Sequence, residues 1–380
     1  MNSFTSLASL AVLALALKFP ARAEVWTVSN IRAQYPAISS DGRVFVAIGS
    51  ATYVSYDYGS TWVSNGIAGS AVAISANGSN IIVGSSSPGA MYTSADAGVN
   101  WTLQPVPPTY GAFSNVRRIA SSSDGNRIGL VLFGTCPIFT STNGGALWST
   151  NNDSPLSYWT GIASSADGHL LAASSQTLGV WISTNYGANW SSVLASNNIM
   201  GLACSAEGKT LVASAISDIG YVSRDFGATW SWYHAQTNSG SGAASSADGS
   251  RLALISYFGL FLSTNSGVTW AAQNVPALAM DSLAVSADGH RWMTHSGGSG
   301  KLYVGSSAPS PVLQIAPAGT SFSISWTVPS SPFVLQEIAS LFHTNWSNVA
   351  IPPSLNPSTL QNEVVIPATN GFDAFRLSTP

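Results

Sequence analysis

Hydrolysis of a glycosidic bond takes two carboxylates that face each other about 5 to 9.5 Å apart, and this chain of 380 residues has only 16 acidic side chains in all. Asp153, Asp218 and Asp281 fall between apolar runs, in segments that read as loops, so a catalytic pair would be Asp281 with Asp153 or Asp218. The glutamates Glu24, Glu207, Glu337 and Glu363 lie elsewhere. The same kind of segment carries Tyr110, Arg117, Arg118, Tyr158, Trp159, His234, Tyr257 and His295. Aromatic rings cover sugar faces and a guanidinium grips a carboxylate at two points, so this set equally suits non-catalytic recognition of a protein or glycan ligand. Each member also has a plainer account. Tyr158 and Trp159 can cover a sheet edge, Arg117 and Arg118 can pair with Asp153 or end a strand, and His234 and His295 can be solvated loop residues.

Other chemistries are poorly supported. There is no HExxH and no CxxC, and Cys136 and Cys204 stand in different, non-adjacent repeats, which points to two free thiols and to no metal and no cofactor. Charged residues make up 8% of the chain and the formal net charge is -3, so nucleic acid and anionic lipid are not expected as partners. Leu7 to Leu17 is an apolar run of 11 that leads into Ala21-Arg22-Ala23. It is too short to span a bilayer, so residues 1–23 are expected to be a signal peptide, although no Lys or Arg precedes the run. No later segment is long and apolar enough for a membrane span. The expected product is secreted, periplasmic or on the cell surface, and monomeric.

What positions these residues is a repeat of about 40 residues with two parts. The first is a turn close to Ser-Ala-Asp-Gly, which begins at Ser39, Ser75, Ser122, Ser165, Ser205, Ser246 and Ser286. The second, 16 to 19 residues on, is an eight-residue box: SYDYGSTW, SADAGVNW, STNGGALW, STNYGANW, SRDFGATW and STNSGVTW. Its third and eighth positions are Asp57 and Trp62, Asp96 and Trp101, Asn143 and Trp148, Asn185 and Trp190, Asp225 and Trp230, Asn265 and Trp270. Between the two parts run short alternating segments such as RVFVAIGS and HLLAASS, which read as paired strands. Each repeat is therefore a four-stranded antiparallel sheet. The third-position side chain accepts N–H groups inside its turn, the Gly takes a positive φ, and the Trp covers apolar surface between sheets. Three boxes carry Asp at that position and three carry Asn, which argues for a fold device over an ion site.

The box resembles the Asp-box, or BNR, repeat of sialidases, sortilin-type receptor domains, xyloglucan-degrading enzymes and photosystem II assembly factors. The resemblance spans residues 24–307 and implies an all-β, seven-bladed β-propeller. Six boxes face seven turns, and EVWTVSN (Glu24 to Asn30) resembles the segments that follow the boxes, so Trp26 is expected in the outer strand of the seventh blade. In such a ring the turn and box hairpins share one face, and ligands are expected on the opposite, loop-built face. A sialidase would also carry an arginine triad, a Tyr nucleophile with a Glu partner and a Phe/Tyr-Arg-Ile-Pro segment. That segment is missing, and Arg43, Arg127, Arg251 and Arg291 stand beside the turns.

Beyond residue 307 the period ends in SSAPSPVL, and residues 308–380 alternate as a small β-sandwich-like module. Its FVLQ segment, Asn345-Trp346 and AFRL segment resemble C-terminal β-modules of exported bacterial proteins. Two functions follow as expectations. The first is a secreted binding or scaffold propeller that recognises a protein or glycan on its loop face. The second is an extracellular glycoside hydrolase, sialidase-like or xyloglucanase-like.

Overall fold

Short apolar runs interrupted every few residues by Gly, Asn or Asp make strands and hairpins, and the computed structural model pairs them into four-stranded antiparallel sheets. It describes residues 13–14, 25–85, 90–107, 115–151, 153–196, 198–216, 219–234, 240–256, 259–273, 275, 279–307, 313–318, 321–327, 334–338, 347–356, 361–367 and 374–378. The fifth repeat shows the plan: Ile199–Cys204, Leu211–Ala215, Ile219–Ser223 and Ser231–His234 pair in chain order, from the inside outwards. Among the described residues seven sheets follow it. Their innermost strands are Tyr35–Ile38, Gly69–Ile74, Val116–Ser121, Ser157–Ser164, Ile199–Cys204, Gly240–Ser245 and Met280–Val285. Each packs on the next, and Met280–Val285 packs back on Tyr35–Ile38, which makes the assembly a β-propeller.

The Ser-Ala-Asp-Gly turns lock each blade and then the ring. In the first, Ser39 Oγ donates to Asp41 Oδ1 at 2.6 Å and accepts the Val44 N–H at 2.9 Å, while Gly42 takes φ +69°. Ser75, Ser122, Ser165, Ser246 and Ser286 make the same pair of bonds. The second residue of each turn then bonds to its counterpart in the next blade. Ser40 N–H donates to Ala76 O, Ala76 to Ser123, Ser123 to Ala166, Ala166 to Ala206, Ala206 to Ala247, Ala247 to Ala287, and Ala287 back to Ser40, at 2.7 to 3.0 Å.

The boxes hold the outer half of each sheet. Asp57 Oδ1 accepts the Thr61 N–H at 2.8 Å, and Asn143 Oδ1 accepts the Leu147 N–H at 2.9 Å, so carboxylate and carboxamide make the same bond. The Asn100 N–H holds the Asp96 carboxyl below the ordinary carboxylate value, and the Thr229 hydroxyl does the same for Asp225. The indole N–H groups of Trp62, Trp101, Trp190, Trp230 and Trp270 donate to the box Gly carbonyls at 2.8 to 3.2 Å. Trp148 instead donates to Pro105 O at 3.1 Å. Apart from buried Trp190 these rings are half-buried and lie on seams rather than deep inside. Trp101 packs with Val46, Val54 and Ile81, and Trp270 with Val212, Val222 and Leu252, in each case from its own blade and the one before.

The seventh blade is completed from the other end of the chain. Val25–Val28 pairs antiparallel with Lys301–Ser306, Trp26 opposite Gly305, and Trp26 packs with Leu260, Leu262 and Trp292 as a box Trp would. Trp26 and Trp292 stack at 6.4 Å between centroids. Of residues 1–23, only Leu13–Ala14 is described, as a short parallel partner of Ala374 and Phe375; the rest of the expected signal lies outside the described residues. Past the ring, Gln314–Ala318, Ser321–Thr327, Gln361–Pro367 and Ser354–Asn356 form one sheet, and Ala374–Ser378, Val334–Ile338 and Ser347–Asn348 lie in another. Ile324, Trp326, Leu335, Val364, Ile366 and Phe375 make their common core. Leu355 packs, with Ala206 and Ala247, against the buried Ala76 and Ala287 of the turn circle. Cys136 and Cys204 are both free.

Replacing Trp26 by Ala removes apolar contact worth about 1.5 to 3 kcal/mol. Because that contact joins the two ends of the ring, the whole molecule is expected to unfold at lower temperature in a single transition. Calorimetry checks this, and an unchanged midpoint would show that the strand does not close the ring.

Candidate functional site

The ring leaves a channel along its axis, and its polar character comes from one column of the repeat. Four residues before each turn Ser stand Tyr35, Ala71, Arg118, Gly161, Gly201, Gly242 and Ser282. All seven line a cavity of about 170 Å³. Five are small, and crowding requires it at Gly201, where a Cβ would lie 2.6 Å from Ser214 Oγ and 2.7 Å from the Gly242 backbone. Tyr35 and Arg118 are the large exceptions, and they meet. The Arg118 guanidinium lies 5.1 Å from the Tyr35 ring centroid, although their blades are not neighbours, so the contact reaches past the intervening blade. Burial, and then Arg117, pull the Arg118 pKa below its usual value against the opposing pull of Tyr35 and Asp281. An arginine stays cationic at neutral pH regardless.

A second column adds charge. Six inner strands have a β-bulge near their start, which leaves Ser70, Arg117, Thr160, Met200, Ser241 and Asp281 out of register with the neighbouring strand. In two blades the bulged residue is structural: Ser70 Oγ donates to Val116 O at 2.7 Å and Thr160 Oγ1 to Ile199 O at 2.6 Å, each in the next blade. In the third and seventh blades the same position holds Arg117 and Asp281. The Arg117 guanidinium lies 5.0 Å from the Phe133 ring and 4.5 Å from the Tyr158 ring. Asp281, half exposed, binds His295 Nδ1 through Oδ1 at 2.7 Å. Among the described residues neither Arg117 nor Arg118 has a carboxylate within ion-pair distance, and Asp153 is exposed without pairing to either.

The sequence-based candidates therefore divide. Arg117, Arg118 and Tyr158 are linked through their rings and backbone, and Asp281 lines the same cavity as Arg118. Trp159 departs from expectation: it is fully buried and its Nε1–H donates to Cys136 O at 2.9 Å, so its indole presents no face to a ligand. His295 is a buried strand residue held by Asp281 rather than a solvated loop residue. His234 ends the strand Ser231–His234 opposite Ile219. Tyr110, Asp218 and Tyr257 lie outside the described residues. Of the described residues lining the cavity, Asp281 is the one carboxylate, so the facing pair that a glycosidase needs is not assembled from them. Tyr35 and Phe133 were not among the candidates, and aligning the seven repeats on the turn Ser would have exposed Tyr35 beside Arg118 in a column of small residues.

No protein-family model matches the chain, and no curated protein matches it. Among solved structures it is similar to one described as YCF48 bound to D1 peptide, at 15% identity and a TM-score of 0.57, over 77% of this chain and 99% of that one. It is also similar to the β-propeller domain of Cps50 (Swd1) from Myceliophteria thermophila, at 12% identity and a TM-score of 0.59, over 74% of this chain and 99% of that one. At such identities the likeness is one of fold, a β-propeller.

The crowding at Gly201 is directly testable. Gly201→Ala places a methyl against backbone that cannot yield, and is expected to lower stability by about 1 to 3 kcal/mol in chemical denaturation. A neutral result would mean that the channel wall is looser than its geometry.

Proposed function

We propose that the chain is an exported, non-catalytic seven-bladed propeller, residues 24–307, that holds an acidic segment of a protein partner at the loop-face mouth of its axial channel. Residues 1–23 act as the export signal, and residues 308–380 form a β-module that serves as spacer or attachment piece. The observation that carries this reading is the pair of guanidinium groups, Arg117 and Arg118, held on aromatic rings with no carboxylate partner among the described residues. A half-buried cation that no carboxylate of the described residues touches is poised to take one from a ligand, and a charge-assisted bond to a carboxylate is stronger there than in water. The fold likeness to a propeller described with a bound peptide supports a peptide as the ligand. The glycan alternative loses ground at this mouth because buried Trp159 offers no stacking face.

The test is retention of an acidic-peptide library on the immobilised full chain, compared with a library in which every Asp and Glu is amidated. Acidic members are expected to be retained, and Arg118→Ala to weaken retention by roughly tenfold or more, from the loss of a bond worth about 1.5 to 3 kcal/mol. Equal retention of both libraries, or turnover of chromogenic glycosides that Asp281→Asn abolishes, contradicts the proposal.

A further inference from the structure

The seams between blades obey a rule, and one seam breaks it. Five residues after each turn Ser stand Val44, Asn80, Arg127, Leu170, Thr210, Arg251 and Arg291, and each lies under the turn glycine of the next blade. The fourth box position faces the same seam from the next blade, with φ near +60° at Tyr58, Ala97, Tyr186, Phe226 and Ser266 and +68° at Gly144. Where these residues are long they fill the seam together: Arg127 lies 3.8 Å from the Tyr186 ring centroid and Arg291 4.2 Å from that of Tyr58. Where they are short, the second box position substitutes. Tyr56 OH donates to Ala97 O at 2.9 Å, and Arg224 Nε donates to Ser266 O at 2.7 Å.

Between the second and third blades all three positions are small at once: Asn80, Ala95 and Gly144. The result is a cleft of about 470 Å³ lined by those three residues, within the range of about 300 to 1,000 Å³ typical of small-molecule sites. Apart from Asp96 its wall is uncharged and rich in amides and hydroxyls. Asn100, Asn126, Asn143, Gln104, Thr93 and Thr102 line it, with Ile82 and Ile128 behind. Several of these groups have capacity to spare. Among the described residues, Gln104 donates Nε2–H to Thr93 Oγ1 at 2.8 Å, which leaves Oε1 unengaged, and Asn143 uses Oδ1 within its box, which leaves Nδ2 unengaged. Asn100 and Asn126 each donate through Nδ2 to a carboxylate, which leaves Oδ1 unengaged among the described residues. Among the described residues no Lys, Arg or His lines the cleft, and Asp96 is the one charged side chain.

We infer that this cleft is a second binding site, for a neutral oligosaccharide. Outward amide donors and acceptors match vicinal hydroxyls, which both donate and accept, while an anionic ligand would find no cation and would meet Asp96. The site is independent of the channel mouth and lies beside the turn and box hairpins, on the side assigned above to scaffolding.

The test titrates the full chain by calorimetry with maltotetraose, cellotetraose and laminaritetraose, and with tetragalacturonate as the anionic counterpart. At least one neutral tetrasaccharide is expected to bind and the anionic one not to. Asn80→Arg with Gly144→Tyr installs the pair that fills the third–fourth seam, on a backbone that tolerates Tyr at φ 61° and 62° in two other boxes. It is expected to weaken binding at least roughly tenfold without lowering the unfolding temperature. Gln104→Ala, a milder change, is expected to weaken binding severalfold, and Arg118→Ala to leave it unaltered, which separates this site from the channel mouth. Absence of binding by every neutral probe at about 10 mM, or binding that survives both cleft variants, overturns the proposal.

Discussion

A closed circle of seven backbone hydrogen bonds, from Ser40 through Ala287 and back, is the constraint on which the rest of this molecule depends. Each bond joins one turn to the next, so no blade can shift without stretching two of them. The serine of each turn, joined in six of the seven by an Asp or Asn two residues on, presents that second residue's N–H and carbonyl in the right direction. The ring has no open edge at its join, because Val25–Val28 supplies the strand that the last repeat lacks.

Closure of this kind dictates where recognition can occur. With the inner strands drawn together at the turn face, the opposite end of the channel stays narrow, and five of seven column residues must be small. Against that background a single Arg and a single Tyr acquire meaning that neither has alone, since they are the two side chains that the column permits to enter the channel. The bulges next to them are equally economical. One position serves as a hydroxyl strut between blades in Ser70 and Thr160 and as a charged group at the mouth in Arg117 and Asp281.

The strand plan, the turn chemistry and the role of Trp26 could all be read from residue types, because hairpin chemistry is local and recurs in register. Equivalence of Asp57 and Asn143 was readable for the same reason. Trp159 and His295 were misjudged because their neighbours in the chain look like loop, whereas their burial is decided by contacts with Cys136 and Asp281 from other strands. The empty second seam escaped notice for a related reason. Asn80, Ala95 and Gly144 are each unremarkable, and only their meeting across two blades opens a cleft.

The seven turns act as one cooperative unit, and amide hydrogen exchange under native conditions distinguishes this from blades that open independently. If the circle holds the ring together, the amides of Ser40, Ala76, Ser123, Ala166, Ala206, Ala247 and Ala287 will be among the slowest in the protein and will exchange with a common free energy. Separate rates, with the first and last blades opening well before the middle ones, would contradict it.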